Sequence, residues 1–155
     1  VKLDLSIQRA GSNAGPTDDE LQHYVLETLP SDHHDTELCI RIVEAEEGAQ
    51  LNEKYRDKTG PTNVLSFPCD VQISELKLLG DLVICAPVVA KEAEAQSKPE
   101  PAHWAHMVVH GVLHLLGYDH IGEHDALLME AEERAILARL GFPDPYLNEK
   151  PNEGA

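Results

Sequence analysis

The stretch HMVVHGVLHLLGYDHIGEH, from His106 to His124, is the most apolar part of a 155-residue chain, yet it holds five of the chain's nine histidines. On an α-helix each residue advances about 100° and 1.5 Å, so His103, His106, His110 and His114 fall within an arc of about 80°. Trp104, Met107, Val108, Val109, Val112, Leu113, Leu115 and Leu116 cover the remaining sides. A helix that is apolar around most of its circumference must lie inside the domain, with other elements packed around it. Its imidazoles then need partners, because a buried polar group left unsatisfied costs on the order of 1–3 kcal/mol.

The rest of the chain supplies elements to surround such a helix. LDLSIQ and ELCIRIVEA alternate as half-buried strands, and between them TDDELQHYVLETL opens with Thr17 and Glu20 at capping-box spacing and continues as a helix up to Pro30. After Gly48, AQLNEKYR reads as a short helix, followed by the breaker TGPTN and two further strands, VLSF and LGDLVIC. Pro87 opens a helix that runs toward Pro99; the histidine helix spans about 101–116 and ends at Gly117. HDALLMEAEERAILARLGF is a last amphipathic helix, begun by His124 and Asp125, with Glu130, Glu132 and Glu133 read as a solvated face. From Pro143 the sequence reads as a loosely ordered end.

A single buried histidine is ordinarily a satisfied core residue; a pair at i and i+4 can converge two nitrogens on one metal ion. His106/His110, His110/His114 and His120/His124 all have that spacing. The third ligand separates them. Gly117 turns the chain so that His120 can return toward His114, whereas His106 lies too far from that point, which favours His110, His114 and His120. H-x-x-x-H-x-x-G-x-x-H is the ligand spacing of metzincin proteases, but the position of their general-base Glu is taken by Gly111. Peptidase chemistry therefore lacks its base, while a three-histidine zinc site with an open position remains.

A phosphodiester suits such a site, since its transition state gathers charge that a Lewis acid and a guanidinium can stabilise. Arg56 is the candidate guanidinium, unless it is a surface arginine paired with a carboxylate. The net charge of −16 opposes nucleic-acid binding over the whole surface, so any nucleic-acid role must be local, with Lys54, Arg56 and Lys58 as its cationic patch, although such a cluster is more often a solvated helix end. Asn63 and Ser66 read as substrate contacts or turn residues, and Asp119 as a second partner of a ligand imidazole or a turn cap. Three dispersed cysteines and no long apolar run point to a cytoplasmic protein without membrane association.

YRDKTGPTNVLSFP, LGDLVIC, AHWAHMVVHGVLHLLGYDH and LGFPDPYLNEK, in this order, resemble the YbeY family of bacterial metal-dependent endoribonucleases and rRNA maturation factors, over roughly residues 38–150. The resemblance implies one α+β domain over residues 1–147, a small mixed sheet with helices around it, and a tail at 148–155. It implies one Zn2+ held by His110, His114 and His120, with Arg56 and His110 catalytic. It also implies cleavage of single-stranded RNA in 3′-end maturation of 16S rRNA and in ribosome quality control, with the 30S subunit and assembly factors such as the Era GTPase as partners and no DNA. Gly111 keeps a second reading open, a non-catalytic assembly factor with a structural zinc.

Overall fold

In the computed structural model the described residues are 3–10, 15–31, 35–58, 60, 62–73, 76–119 and 121–146. The elements run β1 (Leu3–Arg9), α1 (Asp18–Thr28), β2 (Asp35–Val43), α2 (Ala45–Arg56), β3 (Val64–Ile73), β4 (Leu76–Cys85), α3 (Ala86–Ala95), α4 (Glu100–Leu115) and α5 (Glu123–Leu140). The sheet order is β1-β2-β4-β3, with β1, β2 and β4 parallel and β3 antiparallel to β4. This is the expected α+β fold with a mixed sheet.

Side chains alternate across the strands. Leu38, Ile40, Ile42, Leu82 and Ile84 join one core with α1, α4 and α5, while Val43, Leu65, Val83 and Cys85 pack on the other face with Leu51 of α2. The capping box is present, with Thr17 Oγ1 accepting from the Glu20 N–H and Glu20 Oε1 accepting from the Thr17 N–H. α4 packs against α1, α3, α5, β3 and β4. It is the buried central helix that its composition requires.

Three expectations need correction. α2 begins at Ala45 rather than after Gly48, because Glu46 and Glu47 suit the positive end of the helix dipole and Gly48 is a buried position within it. β3 extends well beyond VLSF, paired along β4 as far as Ile73. The chain after Pro143 is docked at its start, where Pro145 is buried and its carbonyl accepts from Lys98 Nζ at 2.8 Å. The tail at 148–155 lies outside the described residues.

Candidate metal centre

Position 111 faces the sheet. A Cβ built on Gly111 would lie 2.7 Å from Leu82 Cδ2 and 3.3 Å from Val64 Cγ2, so the absence of a side chain is what lets α4 settle on β3 and β4. Ser66 Oγ donates to the Gly111 carbonyl at 3.4 Å from the same side. A glutamate here would enter the core. Gly111→Glu is expected to combine overpacking, about 1–3 kcal/mol, with a buried unpaired carboxylate, about 3–5 kcal/mol. At roughly 2–4 °C per kcal/mol, thermal unfolding should drop by about 10 °C or more, and no peptidase activity should appear.

The histidines line up along α4 in graded environments. His103 is 3% exposed, and its Nε2 lies 2.9 Å from Glu92 Oε1 on α3. Burial lowers its pKa against the opposing hydrogen bond from Glu92. His106 is 8% exposed with Nε2 2.5 Å from Glu133 Oε2, and the same oxygen lies 3.4 Å from Nδ1 of half-buried His110. The His110 and His114 rings follow at 4.8 Å between centroids and 82° between planes. Beyond them Gly117 adopts φ 108°, and the Tyr118 N–H donates to the Leu113 carbonyl at 3.0 Å, the turn expected after the helix. Asp119 Oδ1 accepts from the Ile121 N–H at 3.1 Å and so caps that turn. His120 lies outside the described residues.

Glu133 overturns the solvated-face expectation, being 1% exposed. Its signal was present in α5, because Met129, Glu133, Ile136 and Leu137 form one buried stripe at helical spacing. A carboxylate on an apolar stripe has to find donors, and Glu133 has three. Besides the two histidines, Tyr146 Oη donates to both carboxylate oxygens at 3.0 Å. Burial pushes the Glu133 pKa up, but the hydrogen bonds and charges of His106 and His110 outweigh it and bring the value to about 2.

These residues can hold a metal ion. His106, His110 and Glu133 present ligand atoms within 4.8 Å of one another, and His110 has His114 one turn away. The His–carboxylate pairing also matches how proteins orient a ligating imidazole from behind.

The cationic patch is exposed. Arg56 and Lys54 occupy the last turn of α2, and Asp57, at φ 55°, ends the helix before Lys58. Among the described residues Arg56 makes no ion pair, whereas Arg9, Arg41, Arg134 and Arg139 each do. Asn63 is tied into the fold, with Nδ2 donating to Glu92 at 3.1 Å and Oδ1 accepting from the Val64 N–H at 2.6 Å.

The family model described as Endoribonuclease YbeY matches residues 12–141. The chain belongs to the YbeY endoribonuclease family. YbeY proteins named endoribonuclease from Stutzerimonas stutzeri and Methylococcus capsulatus are 51% and 54% identical to it. The alignments span 98% and 96% of this chain and 96% and 99% of theirs. The YbeY match thus reaches further toward the N-terminus than the motifs from residue 38 onward. The solution structure of TM1509 from Thermotoga maritima shares the fold, with a TM-score of 0.53 at 22% identity over 96% of this chain and 99% of that one. No helix among the described residues is long and apolar enough to cross a membrane.

Proposed function

We propose that this chain is a cytoplasmic, zinc-dependent, single-strand-specific endoribonuclease acting in 3′-end maturation of 16S rRNA and in ribosome quality control. The relatives named above are endoribonucleases by name. The observation that carries the metal reading is the orientation of His110. Its Nδ1 lies toward the ionised Glu133 carboxylate, which can only accept, so the proton belongs on Nδ1 and the Nε2 lone pair is the one presented to a metal.

In this reading His110, His114 and His120 hold one zinc, and His106 remains the partner of Glu133. That His106 Nε2 and Glu133 Oε2 stand at hydrogen-bonding distance, 2.5 Å, rather than the about 3.3 Å between two donor atoms on a tetrahedral zinc with bonds of about 2.0 Å, supports this assignment. The chemistry supplied by a bound zinc ion is Lewis acidity toward a phosphoryl oxygen. Arg56 grips the scissile phosphate through a planar guanidinium, and Lys54 and Lys58 draw the RNA backbone to the same edge. Asn63 and Ser66 are weaker RNA contacts in this scheme, since their side chains already serve Glu92 and Gly111. The 30S subunit and the Era GTPase follow as partners from the family resemblance.

The test is incubation of a defined single-stranded RNA and its duplex with zinc-loaded and chelator-stripped protein, followed by end-group analysis. Cleavage confined to the single strand, lost on chelation and restored by zinc, is expected. A 2′,3′-cyclic phosphate would identify the RNA 2′-hydroxyl as nucleophile, and a 5′-phosphate would identify water. RNA bound but uncut by zinc-loaded protein would favour the assembly-factor reading.

A further inference from the structure

Glu133 comes from α5, a different helix from the histidines, and nothing about ligand spacing points to it. Met129, Ile136 and Leu137 are buried on either side of it, so α5 cannot turn the carboxylate away without exposing its own apolar stripe. The carboxylate is held from two further directions. His106 Nε2 approaches Oε2 at 2.5 Å, and Tyr146 Oη donates to both oxygens at 3.0 Å. The remaining donor on Oε2 is His110 Nδ1 at 3.4 Å. An imidazole whose Nδ1–H faces a fixed anion has both its tautomer and its ring plane set.

We propose that Glu133 is a positioning residue, a buried carboxylate that holds His110 in the Nδ1–H tautomer and aims its Nε2 at the metal, while His106 and Tyr146 fix the carboxylate. This rests on the reading of His110 as a metal ligand. It gives the segment after α5 a role in the site, because Tyr146 lies beyond the last helix and past residue 141, where the family match ends. It also explains why His106 shares the histidine face of α4 without being a ligand in this reading. Its task is to saturate Glu133.

Zinc affinity, measured by competition with a chromophoric chelator, should weaken about tenfold in Glu133→Gln, which keeps an acceptor without the charge, and about a hundredfold in Glu133→Ala, the range set by losing such a partner. Circular dichroism of the metal-free variants shows whether each is folded. Independently, nitrogen-15 spectra of the histidine rings in zinc-loaded wild-type protein should show His110 protonated at Nδ1 and metallated at Nε2, a signature that a merely structural carboxylate would not impose. Affinity of folded Glu133→Gln within about twofold of wild type, or a His110 metallated at Nδ1, overturns the proposal. If the variants do not fold, the wild-type ring spectra decide it alone. Zinc lost in His114→Ala but held normally by Glu133→Gln would remove the positioning role and leave the metal site standing. A wild-type protein that takes up no zinc would remove both.

Discussion

His114→Ala is expected to lose its zinc and with it RNA cleavage, while His106→Ala retains the ion at close to wild-type stoichiometry. The contrast follows from where each imidazole is committed. His106 is buried against Glu133, and His114 stands beside His110 at 4.8 Å between ring centroids. Elemental analysis of both variants is the measurement. Zinc lost in His106→Ala and kept in His114→Ala would move the ion to the group formed by His106, His110 and Glu133. Chelation of the wild type gives a parallel readout, because a ligand present at a thousandfold its dissociation constant stabilises the native state by about 4 kcal/mol. Its removal should lower the unfolding temperature by roughly 8–16 °C. His114→Ala should start from that lowered value and fail to respond to the chelator.

Arg56→Ala is expected to leave fold and zinc content unchanged and to reduce cleavage by roughly two to three orders of magnitude, the scale of losing one preorganised donor to a developing charge. Stability should change by no more than about 0.5 kcal/mol, because the side chain is exposed and makes no ion pair among the described residues. Arg56→Lys should recover part of the activity, since an ammonium cannot make two parallel hydrogen bonds to phosphate. Lys54→Ala and Lys58→Ala should behave differently, weakening RNA binding and its salt dependence with turnover retained at saturating RNA. The measurement is single-turnover cleavage of a single-stranded substrate at matched zinc occupancy. Normal cleavage by Arg56→Ala would return Arg56 to the role of a charge that complements the end of α2.

Local sequence information was enough wherever a short stretch carries its own geometry. The capping box of Thr17 and Glu20, the turn at Gly117 and the end of α4 depend on residues within a few positions of one another, and all are present. The buried α4 was equally legible, because a helix apolar on most sides has no stable place on a surface. The long β3 was not, since its outer half depends on pairing with β4 rather than on its own pattern.

The site divides in the same way. Spacing along α4 set out the row of histidines, and the substitution of Gly111 for a catalytic glutamate was visible in the sequence, but the reason for the glycine was not. It lies in Leu82 and Val64, far away in the chain, whose side chains would have to shift to admit a Cβ. Glu133 was misread as solvated because three acidic residues within four positions look like a wet helix face until the partner of that face is known. Its environment is made by His106 and His110 on α4 and by Tyr146 beyond α5, separated from it by 27, 23 and 13 positions. Helical periodicity, caps and ligand spacing are properties of neighbouring residues, so the sequence by itself determined that the helices form, where they are capped, and the line of imidazoles. Which carboxylate stands beside His110, and against which of its ring nitrogens, depends on groups brought together by packing, and only the tertiary structure decided that.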